Sequence, residues 1–187
     1  HSHALLLKRW AMNPQLRPKR GVVLVNRHPT ALYSGMVPGL IAGIYRRDEL
    51  SLNLPHLCDR AGVAFVQAEI LGVDSQRQHL LLHERPSLRF GVLSLDVGAV
   101  TRNADDLPGV SIKPLETALQ FLSQQDPDDP EPFRIVGAGP AGIEVALALR
   151  RRWPHRALEL QPRAGQLNAT TKAILRRARV HCVTDPS

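Results

Sequence analysis

Three glycines within the segment Phe133–Glu144 constrain the fold of this chain more than any other feature. Gly137, Gly139 and Gly142 have the GxGxxG spacing. In such a turn the first glycine permits a tight bend, the second lets a ligand approach the backbone, and the third lets a helix pack closely on a strand. The spacing therefore predicts a dinucleotide site, with the pyrophosphate at the N-terminus of the following helix.

The residues on both sides of these glycines strengthen the prediction. Phe133–Val136 is typical of a short buried strand, and Ile143–Arg152 of a helix. Gln161 ends the next predicted strand, 157–161, and lies 19 residues after the last glycine, near the position that contacts the adenosine ribose. NADH and NADPH both stay open, because the Gln161 amide can bond a ribose hydroxyl and Arg163 can meet a 2′-phosphate.

Composition narrows the class of protein. The 187 residues, of which 43% are hydrophobic, suffice for one large domain or two small ones. Cys58 and Cys182 are far apart and form no CxxC pair, which favours ordinary packed thiols over a disulfide framework. His79 and His83 fall on a predicted strand, about 13 Å apart, so no metal site is expected.

The charge of +7 is spread over small basic groups, and only 4% of the residues are aromatic. Nucleic-acid binding is therefore a third-ranked function, because no DNA- or RNA-reading motif accompanies the charge. The basic run at 150–152 is expected to stabilise the end of a helix and aid solubility. No run reaches membrane-spanning length and no signal peptide is evident, so a cytoplasmic protein without a transmembrane segment is expected.

Periodicity and turn residues divide the rest of the chain into short elements. We expect helices at 4–12, 50–60 and 115–123, strands at 21–25 and 62–68, and a β-meander at 69–74, 78–82 and 88–95 broken at 74–75 and 85–86. A polar turn is expected at 104–109, and the proline-rich acidic run 124–132 is the clearest linker.

Four segments, 1–12, 31–39, 93–98 and 135–144, together resemble the flavoproteins with two dinucleotide domains that include type II NADH dehydrogenases. The resemblance is strongest to the flavoprotein portion that some bacteria fuse ahead of selenide, water dikinase. It implies an α/β fold, the Rossmann-like three-layer β/β/α FAD/NAD(P)-binding fold, incomplete at both ends. The implied domains are a partial FAD domain at 1–127, which includes the meander, a linker at 128–132 and a partial NAD(P)H domain at 133–187.

The resemblance also implies which residues contact FAD. Ser2 and His3 correspond to the helix that receives the pyrophosphate, and Asn26 and Arg27 to the strand end where relatives often carry an acid for the adenosine ribose. The remaining implied contacts are Ser34, Gly35 and Pro38 towards the flavin or its ribityl chain, Ile70 beside the adenine, and Gly98 in a turn near FAD.

For NAD(P)H the implied residues are the three glycines, Glu144 and Gln161. Glu144 matches an acid that lies near the nicotinamide in relatives. Its alternative reading is a first-turn glutamate favoured by the helix dipole.

The leading hypothesis is an FAD-dependent NAD(P)H oxidoreductase that transfers hydride from nicotinamide to flavin without a redox disulfide and without a catalytic side chain. The acceptor would be a quinone or a selenium compound, the latter through a fused selenide, water dikinase domain, and the fragment is expected to be inactive alone. The alternative is a non-catalytic dinucleotide-binding module that acts in regulation or docking.

Overall fold

The structure is a computed structural model that describes residues 2–99, 109–163, 165 and 167–183. Its helices are α1 (Ser2–Met12), α2 (Val37–Ile41), α3 (Arg47–Leu50), α4 (Leu54–Ala61), α5 (Leu115–Ser123), α6 (Pro140–Arg152) and α7 (Ala169–Arg177). Its strands are β1 (Val23–Asn26), β2 (Thr30–Leu32), β3 (Ser51–Asn53), β4 (Ala64–Gln67), β5 (Ile70–Asp74), β6 (His79–Leu82), β7 (Arg85–Arg89), β8 (Phe133–Val136), β9 (Leu158–Gln161) and β10 (Val180–Cys182).

These elements group into two compact units. The first unit comprises the described residues of His1–Tyr33 and Ser51–Ala99, and the second those of Ser34–Leu50 and Val100–Ser187. The predicted domains are defined differently, by the cofactor that each would bind, whereas these units are defined by their internal contacts. The domain boundaries at 127 and 133 therefore stay a prediction. The predicted polar turn at 104–109 lies outside the described residues except for Gly109.

In the first unit, α1 packs against α4 and both cover a two-stranded parallel sheet of β1 and β4. The predicted helix at 4–12 is confirmed. The helices and sheet share a core built on Leu7, Cys58, Ala61 and Val63. The predicted strands at 21–25 and 62–68 are present, with Val23 opposite Ala64 in the parallel register.

The prediction of one helix over 50–60 is wrong in its first turn. Ser51–Asn53 forms β3, which pairs antiparallel with β2. The helix α4 begins only at Leu54, where the Asn53 side chain accepts the N–H of His56 at 2.9 Å. Pro55 explains the late start, because its nitrogen has no hydrogen to donate to the preceding turn.

The predicted β-meander is confirmed as three antiparallel strands in the order β5, β6 and β7. Its last strand is Arg85–Arg89, whereas the prediction was 88–95 with a break at 85–86. The chain turns at His83 and Glu84 instead, and Glu84 has a φ of +52°. Pro86 is tolerated inside β7 because this strand is at the edge of the three-stranded sheet.

The second unit contains a parallel sheet in the order β10, β9, β8, and α6 and α7 are the crossover helices. This is the strand order of one mononucleotide-binding half of a doubly wound fold. Leu149, Leu158, Leu160 and Leu175 are completely buried between sheet and helices. The predictions of α5 at 115–123 and β8 at 133–136 match the structure residue for residue.

Arg150 ties the end of α6 to the turns around it. Its guanidinium donates to the backbone carbonyls of Trp153, Pro154, Arg156, Ala178 and Arg179 at 2.7–3.1 Å. Burial, and secondarily the charge of Arg179, lowers the pKa of Arg150. This residue therefore has a structural role beyond the favourable helix-end charge expected from the sequence.

Candidate dinucleotide-binding sites

The glycine-rich turn follows the carboxyl end of β8. Gly137 has a φ of +98°, in the left-handed region that glycine adopts readily. Its N–H donates to the carbonyl of Gln161 at 2.8 Å, which holds the turn beside the end of β9. Gly139 is the N-cap residue of α6, and Pro140 is the first residue of that helix. The predicted strand–turn–helix arrangement is thus present.

The second and third glycines are required for different reasons. A Cβ added to Gly142 would lie 1.9 Å from the carbonyl oxygen of Gly137, so backbone contact excludes any side chain there. A Cβ added to Gly139 would meet no atom within 4 Å. Internal packing therefore does not explain Gly139. Open space above a helix N-terminus, where N–H groups lack intrahelical acceptors, suits the pyrophosphate of a dinucleotide.

Gln161 is half-buried at the end of β9, and Arg163 is exposed two residues further on. The acid on this strand, Glu159, accepts hydrogen bonds from Arg134 Nε at 2.9 Å and from its Nη2 at 2.8 Å. The strand end next to the glycine turn is therefore an amide followed by a guanidinium, with the nearest carboxylate of β9 already paired.

Glu144 lies on α6, but not in the first turn, where the helix-dipole alternative requires it. Because α6 begins at Pro140 rather than at the predicted Ile143, Glu144 is in the second turn. The dipole effect falls off within the first turn, so it gives Glu144 little stabilisation. Its side chain is exposed, and its expected approach to the nicotinamide stays a prediction.

A cavity of about 560 Å³ runs along β8 and reaches the glycine turn. Apolar side chains of α5, β8, α6 and the segment 109–112 line most of it, among them Ile112, Phe121, Ile135, Val145 and Leu149. Sequence reasoning missed this cavity. The available signal was the apolar spacing of α5, where Ala118 and Leu122 are four residues apart and both buried.

Arg156 is another residue that lines this cavity, and sequence reasoning missed it as well. It is 5% exposed and donates to Asp126 O at 2.7 Å and to Asp129 Oδ2 at 2.8 Å. Its guanidinium lies 5.2 Å from the ring centre of Phe133 and 5.1 Å from that of Trp153. The available signal in the sequence was the acidic run of the predicted linker, because acidic side chains next to a basic segment can form ion pairs with its arginines.

In the first unit, the N-terminus of α1 meets the segment that contains Gly98. The His3 backbone N–H donates to Asp96 Oδ2 at 3.1 Å, and His3 Nε2 lies 2.9 Å from Ser94 Oγ. Ser2, the first residue of α1, is exposed. Gly98 has a φ of +77°. The structure thus brings His3 close to the turn expected near FAD, with a carboxylate at the helix N-terminus where the pyrophosphate was expected.

The carboxyl ends of β1 and β4 bring together the residues predicted near the adenosine. Ala68 N–H donates to Asn26 O at 3.0 Å, and the Asn26 amide donates to His28 O at 2.8 Å. Arg27 forms an ion pair with Glu69, the residue before Ile70. Carboxyl ends of parallel strands are the usual ligand edge of such sheets, and α1, which precedes β1, begins at the same edge.

Ser34, Gly35 and Pro38 follow β2 along the chain and group with the second unit. Ser34 and Gly35 form a 3-10 turn that ends at Met36, and Pro38 is in the first turn of α2. The structure does not bring these three residues together with Ser2, Asn26 or Ile70 into one described unit.

Both cysteines lie within the described residues. Cys58 is buried and Cys182 is exposed, and both are free thiols. Burial raises the pKa of the Cys58 thiol. Nowhere in 2–99, 109–163, 165 and 167–183 do three or more His, Cys, Asp or Glu side chains group as a metal site would need. No described helix combines the length and apolar character needed to cross a membrane.

No family model matches the chain. A curated relative is the demethylphylloquinone reductase NdbB of Synechocystis sp., which is 30% identical over 145 residues. The matched region covers 70% of this chain and 36% of the relative, so the chain spans about a third of that protein's length.

Solved structures share the fold at low identity. The chain is similar to putidaredoxin reductase in its covalent complex with putidaredoxin (TM-score 0.74, 17% identity, 97% of this chain and 47% of that chain). It is also similar to an engineered water-forming NADPH oxidase bound to NADPH (0.71, 16%, 95% and 44%) and to NDH2 from Plasmodium falciparum in complex with NADH (0.67, 14%, 89% and 43%). These likenesses confirm the predicted Rossmann-like α/β fold. The sequence match to NdbB spans most of this chain, and the solved structures share its fold at 17% identity or less.

Proposed function

We propose that the protein is an FAD-dependent NAD(P)H oxidoreductase. The observation that carries the proposal is the open space at Gly139, beside a turn that Gly137 and Gly142 otherwise keep tight. A glycine that packing does not require, at the N-terminus of a helix and beside a strand end, is explained by a ligand that approaches the backbone there. NADH or NADPH is that ligand.

The residues of the second unit would hold the dinucleotide, and those of the first unit the FAD. Gly139 would admit the pyrophosphate, and Gln161 at the end of β9 would lie beside the adenosine ribose. For FAD, the backbone of Ser2 and His3 supplies donors at the start of α1. The Asp96 carboxylate accepts the N–H of His3, so FAD binding would require Asp96 to release this donor.

Bound NAD(P)H would supply a hydride with its two electrons, and bound FAD would be the group that accepts it. The chain's own contribution is to bind and orient the two groups. A relay through thiols is disfavoured, because Cys58 is 1% exposed and the two cysteines, Cys58 and Cys182, form no CxxC pair. Direct transfer between the cofactors needs no such relay.

We propose a quinone as the electron acceptor, since the curated relative is a demethylphylloquinone reductase. A selenium compound is the other acceptor that the sequence resemblance implies. The fused selenide, water dikinase domain and the cytoplasmic location likewise stay predictions, for which the comparisons give no further support.

Anaerobic titration of the FAD-loaded full-length protein tests the proposal. NADH or NADPH should bleach the flavin absorbance stoichiometrically. The Gly139→Ala variant should fold normally and retain FAD, because its Cβ meets nothing within 4 Å, yet it should lose reduction by either nucleotide. Gly91→Ala is the matched control, since its added Cβ also enters open space.

Three results would contradict the proposal. If the full-length protein retains no FAD, the flavoprotein assignment fails. If nucleotide binds without bleaching the flavin, the protein is a dinucleotide-binding module without turnover. If Gly139→Ala is reduced as well as Gly91→Ala, the glycine turn is not the nucleotide site.

A further inference from the structure

We propose that the second unit binds a phosphate group, free or on a small molecule, in a cavity lined by α7 and β10. This cavity, the α7–β10 cavity, has a volume of about 280 Å³. Its lining residues are Lys172, Arg176, Arg179, Val180, His181 and Cys182. None of them belongs to the glycine turn or to the end of β9, and binding there does not require the proposed function.

The polar lining of the α7–β10 cavity is basic. Lys172 and Arg176 are four residues apart on α7 and therefore share one face of the helix. Arg179 follows the helix, and His181 adds an imidazole from β10. None of the lining residues is acidic, and the sequence has no acid from Leu160 to Val183. One ammonium and two guanidinium groups around one space favour an anion that accepts several hydrogen bonds.

Folding does not provide partners for these charges. Within the part of the chain that the structure describes, the side chains of Lys172, Arg176 and Arg179 form no ion pair or hydrogen bond. Glu159 is in register with His181, but it accepts two hydrogen bonds from Arg134. An anion that enters the cavity would therefore displace no existing ion pair.

Arg179 occupies a position where glycine would cost less. The helix α7 ends at Arg177, Ala178 is its C-cap residue, and Arg179 has a φ of +55°, in the left-handed region. Glycine is the usual residue at this position, because it has no Cβ. Burial and then the charge of Arg179 lower the pKa of Arg150, so the two guanidinium charges repel each other. Strain and repulsion both oppose folding, and a bound anion would compensate for them.

The hydrogen bonds that Arg179 does form are made by its backbone. Its carbonyl accepts from Arg150 Nη2 at 2.7 Å, and its N–H donates to Arg176 O at 3.0 Å. Any residue, glycine included, supplies both groups. The guanidinium of Arg179 is therefore better accounted for by a ligand of the cavity than by the fold.

Protection of the Cys182 thiol tests the proposal on the full-length protein. Cys182 is exposed and lines the cavity, so a bound anion should shield it from the neutral reagent iodoacetamide. Pyrophosphate is the first probe, and alkylation is measured by mass spectrometry of the peptide that contains Cys182. We expect pyrophosphate to slow alkylation saturably at low salt and less effectively at high salt. Tighter protection by phenyl phosphate than by orthophosphate would identify a phosphate ester as the ligand, and the reverse order free phosphate.

Two neighbouring arginines of α7 provide a matched pair of variants. Arg176→Gln should weaken protection by pyrophosphate about tenfold, the loss of one charge-assisted hydrogen bond. Arg177→Gln should change it by less than about threefold, because Arg177 is exposed on the same helix but does not line the cavity.

Arg179→Gly separates binding from stability. This variant should also weaken protection about tenfold, yet its urea midpoint of unfolding should rise, because glycine relieves the left-handed strain and the repulsion of Arg150. An arginine with a purely structural role would lower the midpoint when replaced.

Any of four results would overturn the inference. If pyrophosphate leaves the alkylation rate of Cys182 unchanged, no anion binds in the cavity. If Arg177→Gln weakens protection as much as Arg176→Gln, the diffuse charge of α7 holds the anion. A lower urea midpoint for Arg179→Gly would assign Arg179 to stability. If Gly139→Ala abolishes protection, pyrophosphate binds at the glycine turn instead, whereas loss of nucleotide binding with protection intact would refute the proposed function alone.

Discussion

Gly142→Ala places a methyl group inside the contact between α6 and the turn after β8. The added Cβ would lie 1.9 Å from Gly137 O and 3.0 Å from the carbonyl carbon of Gly137. Side-chain carbons are essentially never found closer than 3.0 Å to such an atom, so the helix and the turn must separate by about 1.1 Å. No rotamer change can relieve this clash, because both partners are backbone.

The expected cost follows from two opposing effects. Alanine in place of a helical glycine contributes about 1 kcal/mol in favour of folding. Overpacking costs about 1–3 kcal/mol, and separation of the turn also weakens the 2.8 Å bond from Gly137 N–H to Gln161 O, worth about 1 kcal/mol. We therefore expect the free energy of unfolding of the second unit to fall by about 2 kcal/mol, and nucleotide binding to weaken with it.

Urea denaturation followed by tryptophan fluorescence measures this change. The sequence has two tryptophans, and Trp153 is 3% exposed in the second unit, whereas Trp10 belongs to the first. A Trp10→Phe background makes the signal report on Trp153 alone. Gly91→Ala, whose Cβ enters open space, is the control. If Gly142→Ala is as stable as that control, the close approach of helix and turn is not a structural requirement, and the reasoning is refuted.

Two further predictions concern side chains with opposite surroundings. Arg150→Met should lower the free energy of unfolding of the second unit by about 2–4 kcal/mol, because its guanidinium donates to five backbone carbonyls, and urea denaturation should show no comparable loss for the exposed Arg151→Met. Cys182 should react with Ellman's reagent in the native protein at neutral pH, whereas Cys58 should react only after unfolding, because it is buried and its raised pKa disfavours the reactive thiolate; equal native rates would contradict this assignment.

Much of the fold was predictable where partners are close in sequence. Gly137 and Gly142 are five residues apart, so their spacing alone predicted the turn and the packing of α6. The helix α5 lies between Pro114 and the polar run that begins at Gln124, and its bounds were predicted correctly. Local sterics and breakers determine such features, and a single sequence contains them in full.

The sequence predictions were wrong or incomplete where a residue's partner lies far away in the sequence. Ser51–Asn53 became a strand because it pairs with Thr30–Leu32, about twenty residues earlier, and this pairing outweighed the helical pattern that follows it. Arg156 is buried because it meets Asp129, 27 residues before it, and two aromatic rings. A charged residue is typical of solvated surface, and nothing in its local sequence distinguishes a buried arginine from an exposed one. Arg156 could therefore be recognised as buried only once its partners were known.

The same reasoning separates the basic residues of the second unit by role. Arg150 and Arg156 donate to backbone carbonyls or a carboxylate of their own unit, and Arg134 pairs with Glu159, so folding accounts for these three charges. Gly139 differs, because a Cβ added there would meet no atom within 4 Å, so packing does not require a glycine. Open space at the N-terminus of α6 is better accounted for by an anionic ligand than by stability. The glycine turn, rather than the positive charge of this unit, therefore supports nucleotide binding at one defined position.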